Sequence, residues 1–170
     1  MADIGVNELV TDSIEEAESG FSDASSADTL NETEIRRTVH ARINEIRADR
    51  RVDRLQYSQH IAERAEEHTE TMAERRRLQG SDPESQYECE TVGENVAYTY
   101  ANQRIAVEDD YVNYEGNETK IAHGIVRQWM NSPGNQDVIL EDAFESEGIG
   151  VATAETDDGR RVYVTQAVCG

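Results

Sequence analysis

Imidazole and thiol groups, which could do acid–base, metal or redox chemistry, are few in this chain. Among its 170 residues are four histidines, and the candidate redox groups are two cysteines, Cys89 and Cys169. His40 and His60 stand beside polar residues in segments with helical periodicity, so we expect them at the surface or at a helix edge. His68 lies on an apolar helical stripe, which favours a hydrogen-bonded core histidine over a metal ligand.

Two helices in the first half of the chain must position these histidines. Asn31, followed three positions later by Glu34, predicts the N-cap and capping partner of the first helix. Its apolar face is formed by residues four, four and three positions apart, namely Ile35, Val39, Ile43 and Ile46. Ser58 is the predicted cap of the second helix, whose stripe is Ile61, Ala65, His68 and Met72. The arginines at 75–77 predict where that helix ends.

The second half of the chain mixes strands with a third helix. Residues 95–100 predict a strand, residues 101–118 a long polar loop, and residues 119–130 a helix. The core face of that helix is predicted to be Ile121, Ile125 and Trp129, and a single helical turn is predicted at 135–140. Between these two elements, Ser132, Pro133 and Gly134 form a turn signal.

The end of the chain predicts a β-hairpin. The segment IGVATAE is followed by turn residues Asp157, Asp158 and Gly159, and then by RRVYVTQAV. Ile149, in the first of these strands, is a predicted core residue. The element order is therefore helix, helix, strand, helix, strand, strand, which is typical of an α+β fold with helices on a small antiparallel sheet.

The charge balance excludes some partners. With 16 basic and 36 acidic residues, the formal net charge is −20, so neither nucleic acid nor an anionic membrane surface is an expected partner. Lys120 is the only lysine. This pattern favours a halophile, in which molar salt screens the acidic surface. The alternative, a disordered acidic protein, disagrees with the periodic segments.

The first 30 residues have a composition of their own. They hold eight acidic residues and no basic residue, so we interpret 1–30 as an acidic disordered tail or linker and 31–170 as the folded domain. No apolar run approaches the roughly 20 residues of a membrane span. The N-terminus also lacks the basic and apolar regions of a secretory signal, which favours a cytoplasmic protein.

The two cysteines favour the opposite compartment if they pair. Cys89 lies just before the first predicted strand and Cys169 ends the last one. Neighbouring strands can bring the two Cα atoms within the roughly 4.4 to 6.8 Å that a disulfide requires. We therefore predict a Cys89–Cys169 disulfide, which is typical of an oxidising compartment. The alternative is two free thiols in a reduced cytoplasm.

Three segments resemble the CAP superfamily, which includes the SCP, cysteine-rich secretory, antigen 5 and pathogenesis-related 1 domains, and its microbial branch in particular. The first is VHARINEIRADRRVDRLQYSQHIAERAEEHTETMAERRRL. The second is Gly-Glu-Asn-Val-Ala at 93–97, and the third is IVRQWMNSPGNQDVIL followed by GIGVA and YVTQAV. Together they cover about 35–169. The resemblance implies an α-β-α sandwich and an extracellular or cell-surface location.

The resemblance also implies a cleft in which two histidines and two glutamates hold a divalent metal. Only one of these four positions carries the family residue here, Glu94. The other three fall on Gly80, Ser132 and Tyr163. The microbial branch carries a further histidine where this chain has Asn135. Because imidazole is the usual nitrogen ligand of zinc, we expect no metal and no other cofactor. His123, beside the third helix stripe, is a candidate cleft residue in place of the lost histidines.

Three functions remain open. The first is a non-enzymatic binding module whose cleft takes an unknown small molecule, lipid or peptide. Its candidate cleft residues are Gly80, Glu94, Asn95, Ser132, Asn135, Tyr163 and Gln166. The second is a hydrolase-like enzyme that uses Glu94 and a water, and the third is a structural or interaction domain without a cleft ligand. Glu94 is thus either a cleft acid or a carboxylate that accepts backbone N–H bonds at the start of its strand.

Overall fold

A computed structural model describes residues 29–170, so most of the predicted acidic tail lies outside the described residues. The helices in this part are α1 (Glu32–Asp49), α2 (Gln59–Arg75), α3 (Pro83–Gln86), α4 (Glu118–Met130) and α5 (Pro133–Leu140). The strands are β1 (Gln56–Tyr57), β2 (Val92–Tyr100), β3 (Ile105–Val107), β4 (Asp110–Val112), β5 (Ser146–Thr156) and β6 (Gly159–Cys169). The α+β prediction is confirmed.

One four-stranded sheet forms the centre of the fold, in the order β1-β5-β6-β2. The three long strands are antiparallel, as predicted, with Asn95 opposite Gln166 and Gln166 opposite Ile149. The sheet is nevertheless mixed, because the short strand β1 runs parallel to β5 at its edge. The sequence could not predict that strand, since its two residues form no repeating pattern.

Helices cover both faces of the sheet. On one face α2 lies so close to β5 that a side-chain carbon on Gly150 would stand 2.5 Å from the backbone of Ala65. On the other face α1 and α4 pack together and bury the predicted core residues Ile125, Trp129 and Ile149 completely. The result is the helix-sheet-helix sandwich that the resemblance implied.

Local signals fix the helix ends. Ser58 caps α2 as predicted, because its side chain accepts a hydrogen bond from the Ile61 N–H. At the other end Arg76 takes a left-handed conformation, with φ of 51°. Asn117 caps α4 by accepting from the Lys120 N–H, so this helix begins one residue before the predicted start.

Two segments contain more structure than the sequence predicted. The predicted loop at 101–118 holds the hairpin β3–β4, in which Ile105 pairs with Val112. Its turn includes Glu108 at a φ of 50°. Gly or Asn at this position would have predicted such a turn, but a glutamate does not. The predicted single turn at 135–140 is the eight-residue helix α5, which starts earlier because Pro133 occupies its first turn.

The predicted disulfide is confirmed. Cys89 and Cys169 are bonded, with their Cα atoms 5.6 Å apart. Beside the bond, Thr91 and Gly170 exchange two backbone hydrogen bonds of 3.1 and 2.8 Å. The disulfide therefore ties the segment that enters β2 to the end of β6. Within residues 29–170, no helix is both long and apolar enough to cross a lipid bilayer.

Candidate functional site

Glu94 lies on β2 and faces the loop that follows α2. Its Oε1 accepts the Ser81 backbone N–H at 2.8 Å, and its Oε2 accepts the Ser81 hydroxyl. Gly80 lies beside it, since a side-chain carbon on Gly80 would stand 3.6 Å from Glu94 Oε1. Both carboxylate oxygens are thus engaged in holding the loop against the strand.

Tyr87 adds a buried phenol to the same region. Burial is the main cause that raises its pKa to about 12, and the negative charge of Glu94 raises it further. The Tyr87 hydroxyl has no hydrogen-bond partner among the described residues. The phenol therefore stays protonated throughout the physiological pH range.

A cavity of about 450 Å³ opens between α2 and this loop, lined by Gly80, Ser81 and His68 among others. His68 was predicted to be a hydrogen-bonded core residue. The hydrogen bond is present, from Nε2 to the Gln79 carbonyl at 2.6 Å. The core position is wrong, because His68 is only partly buried. Its side chain reaches from the helix to the loop instead of pointing into the sheet.

A second cavity, of about 480 Å³, has Ser132 and Asn135 in its wall. Apolar side chains form much of the rest, from the edge of the sheet, the β3–β4 hairpin, helix α4 and the loop after α2. They include Leu78, Val96, Ile105, Val107 and Trp129. The indole Nε1 of Trp129 donates to the Val96 carbonyl at 3.2 Å, which fixes the end of α4 against the edge strand.

Asn95 and Gln166 lie on the opposite face of the sheet from Glu94, because consecutive residues of a strand point to opposite sides. Both are buried. Asn95 Nδ2 donates to the Asn135 carbonyl and to Gln166 Oε1, each at 3.0 Å, while Asn95 Oδ1 has no partner among the described residues. The predicted cleft residues therefore do not form one cluster, since the sheet separates Glu94 from Asn95 and Gln166.

Tyr163 is completely buried in β6. Its hydroxyl accepts a 3.0 Å hydrogen bond from Arg161, whose Nε donates to the Tyr100 hydroxyl at 3.1 Å. The Arg161 guanidinium also lies 4.6 Å from the centre of the Tyr98 ring. These contacts make Tyr163 part of a packed tyrosine–arginine cluster.

The order of these elements and motifs matches a known family. Residues 40–168 match the model of the cysteine-rich secretory protein family, CAP. The chain belongs to the CAP family. No curated protein sequence matches it.

Solved structures share the fold of this CAP domain. An extracellular protein with an SCP domain from Bacillus anthracis aligns with a TM-score of 0.58 and 20% identity over 81% of this chain. The alignment spans only 41% of the Bacillus chain. An outer surface protein from Borrelia burgdorferi gives a TM-score of 0.58 at 17% identity, covering 82% of this chain and 96% of its own. The venom allergen-like protein 4 of Schistosoma mansoni gives 0.54 at 14%, covering 80% and 88%.

The residues of this CAP domain do not fit the metal that the family resemblance implies. Glu94 is engaged by Ser81. Gly80 and Ser132 offer no imidazole or carboxylate, and the Tyr163 hydroxyl is bonded to Arg161. Within residues 29–170, no group of three or more His, Cys, Asp or Glu side chains could hold a metal ion.

Sequence reasoning missed one buried pair in the CAP domain. His40, expected at the surface or an edge, has a side chain only 23% exposed, and its Nδ1 lies 2.5 Å from Oε2 of the fully buried Glu147. The only sequence signal was an acidic residue directly before the apolar run GIGVA. Because 107 positions separate the two residues, no local pattern could pair them.

The two remaining histidines do not line the candidate cleft. His60 is exposed, as predicted. His123 is exposed too and lines a separate cavity of about 490 Å³ with residues of α1, among them Arg42 and Ile46. The proposed recruitment of His123 to the cleft is therefore wrong, since its helix turns it toward α1 instead of β2.

Proposed function

We propose that this CAP domain is a non-enzymatic binding module that works outside the cell or at the cell envelope. The observation that carries the proposal is the cavity of about 480 Å³ between the edge of β2, the β3–β4 hairpin and the α4–α5 junction. Apolar walls with a small number of polar groups are typical of ligand sites. Here the polar groups include Ser132 and Asn135, together with the charged residues Glu108 and Arg127.

The walls favour a ligand with an apolar part, whether a small molecule, a lipid or a peptide. Val96, Ile105 and Val107 offer apolar surface, and their contacts would remove the ligand from water. Ser132 and Asn135 would orient its polar end. The hydrolase alternative is less favoured, because the carboxylate that would activate a water already accepts two hydrogen bonds from Ser81.

Two observations support an extracellular or envelope location. Disulfides persist mainly in oxidising compartments, and Cys89 and Cys169 are bonded. Two structures with the same fold are described as an extracellular protein and an outer surface protein.

Trp129 gives a direct test of the cavity. It is the single tryptophan of the chain and forms part of the wall. The uncharged apolar dye N-phenyl-1-naphthylamine should therefore bind saturably and quench Trp129 fluorescence by energy transfer. Val107→Phe fills the cavity and should weaken dye binding about tenfold. Val112→Phe, in the paired strand but outside the cavity, is the matched control.

Two outcomes would contradict the proposal. One is a wild-type protein that shows no saturable quenching. The other is equal dye affinity in Val107→Phe and wild type. Calorimetric titration with zinc checks the metal prediction separately, and we expect no one-to-one site tighter than about 1 µM.

A further inference from the structure

A continuous chain of hydrogen-bonded side chains runs through the core behind the proposed cleft. It starts at the Asn135 carbonyl in the first turn of α5, which accepts from Asn95 Nδ2 on β2. The same nitrogen donates to Gln166 Oε1 on β6 at 3.0 Å. Gln166 Nε2 then donates to Glu147 Oε1 on β5 at 2.9 Å, and Glu147 Oε2 meets Nδ1 of His40 on α1.

Each link fixes the orientation of the next. A carboxylate only accepts hydrogen bonds, so Glu147 requires the Gln166 amide to present its nitrogen. The Gln166 oxygen is then directed at Asn95, whose nitrogen must donate, and the Asn135 carbonyl is the acceptor that remains. At the other end the Asn44 amide nitrogen faces His40 Nε2 at 3.5 Å, so Nε2 accepts and Nδ1 carries the proton that is directed at the second oxygen of Glu147. The order of donors and acceptors therefore leaves one arrangement.

One member of this hydrogen-bonded series, Glu147, costs free energy to bury. Glu147 is the only completely buried acidic residue within 29–170, and a buried carboxylate is tolerated only when its oxygens are hydrogen-bonded. An apolar residue would pack in this place without that cost. The carboxylate therefore suits a role in orientation better than a role in stability.

Side chains of the core hold helix α5 at both of its ends. Asn95 holds the first turn of α5 at Asn135. Arg47, also completely buried, donates to the carbonyls of Ile139 and Glu141 at the far end, at 2.7 and 3.0 Å. Loss of the hydrogen bonds between Asn95, Gln166, Glu147 and His40 would loosen the first turn at Asn135, while Arg47 keeps the far end of α5 on the domain.

We propose that His40 and Glu147 are positioning residues that set the place of the Asn135 wall of the cleft, acting through Gln166 and Asn95. His40 stands at the outer end of this chain, in the wall of a different cavity of about 810 Å³. The inference rests on the proposed function, because only that proposal makes the Asn135 wall part of a ligand site. The series of hydrogen bonds from His40 to Asn135 is present in the core in either case.

A double-mutant cycle tests the proposal with N-phenyl-1-naphthylamine as the probe. His40→Phe removes the Nδ1 donor and should weaken dye binding about fivefold. In a Gln166→Met background, where the chain is already broken, His40→Phe should change the affinity less than about 1.5-fold. His40→Gln keeps a donor and should bind like wild type. His60→Phe, at an exposed histidine, is the matched control.

The outcomes separate positioning from general destabilisation. Equal loss of affinity in both backgrounds, or no loss in either, overturns the proposal, because a merely structural residue would act independently of Gln166. Should His40→Phe fail to fold, Glu147→Met breaks the same link without leaving a buried carboxylate that lacks its hydrogen-bond partner, and the cycle is run with it.

Hydrogen exchange decides the inference if the dye does not bind. A wild type without saturable dye binding refutes the proposed function alone. The positioning role then predicts faster amide exchange in α5 at residues 136–139 in His40→Phe, and no such change in His60→Phe. Unchanged exchange at these amides would overturn the inference.

Discussion

Glu94 holds the loop after α2 through two hydrogen bonds to Ser81, and this contact defines what the residue does for stability. The loop otherwise meets the helix through single contacts, such as the His68–Gln79 bond. A charged acceptor contributes more per hydrogen bond than a neutral one. Glu94 therefore belongs to the framework that shapes the cavity beside Gly80.

Glu94→Gln should lower the free energy of unfolding by about 1–2 kcal/mol. The amide accepts through one oxygen only, so one of the two Ser81 hydrogen bonds is lost. Urea unfolding measures the change. Glu90→Gln, at an exposed acidic residue four positions earlier, should leave stability within about 0.5 kcal/mol of wild type. If the two variants are equally stable, Glu94 has no structural role.

At the scale of elements, α2 lies directly on β5 because two glycines of the strand carry no side chains. At Gly150, an added carbon would stand 2.5 Å from the Ala65 backbone, and Gly148 makes a similar close approach to Ala62. Backbone atoms cannot move aside as the end of a flexible side chain can. The helix-to-sheet distance on this face therefore depends on these two positions.

Gly150→Ala should destabilise the domain by about 3 kcal/mol, since the methyl group must push α2 away from the sheet. Gly134→Ala is the matched control, because an added carbon there has no neighbour within 4 Å. That variant should be unchanged or more stable by about 0.5 kcal/mol. Thermal unfolding of both proteins makes the comparison, and a tolerated Gly150→Ala would mean that α2 can shift at little cost.

The disulfide joins two elements across 80 positions of sequence. In the chain-entropy model, closing a loop of this length contributes about 4.5 kcal/mol by restricting the unfolded chain. Replacing Cys89 and Cys169 by serine together should therefore lower the urea midpoint strongly, and adding reductant to the wild type should have the same effect. A midpoint that stays the same in both experiments would show that backbone pairing alone holds the ends of β2 and β6.

At the scale of the whole molecule, the net charge of −20 determines the electrostatics of the folded state. Like charges repel in the compact state, and the repulsion reaches farther when salt is dilute. Within residues 29–170, ion pairs such as Arg36–Glu66 and Arg160–Glu155 neutralise some of the acidic residues, but the 36 acidic residues of the chain outnumber its 16 basic residues by 20. The fold must therefore tolerate a surplus of carboxylates that the basic residues are too few to neutralise.

Folding should require high salt. The Debye length is about 3 Å at 1 M salt and about 10 Å at 0.1 M, so on dilution each carboxylate repels other carboxylates over a longer distance. Far-UV circular dichroism in molar and in 0.1 M potassium chloride provides the measurement, and we expect loss of helical signal at the lower concentration. Identical spectra would show that the core outweighs the repulsion.

The sequence by itself determined the elements that rest on local chemistry. Four-residue apolar spacing predicted α1 and α2, Ser58 predicted a cap, and the Asp157–Gly159 turn predicted the final hairpin. These signals need only neighbouring residues, because helix faces and tight turns form within a few positions of the chain. The CAP resemblance added the order of the layers, and Cys89 and Cys169 were paired correctly from the elements that carry them.

Only the tertiary structure decided which polar groups meet. Strand alternation alone places the adjacent residues Glu94 and Asn95 on opposite faces of the sheet, but the packing on each face decides that Glu94 meets Ser81 and that Asn95 meets Gln166. The same packing brings His40 to Glu147 across 107 positions, where neither residue has a local pattern that points to the other. The β3–β4 hairpin and the parallel strand β1 likewise depend on contacts with distant elements. These strands have only two or three residues, too few to show the alternating pattern that predicts a strand. The surrounding fold therefore determines their conformation.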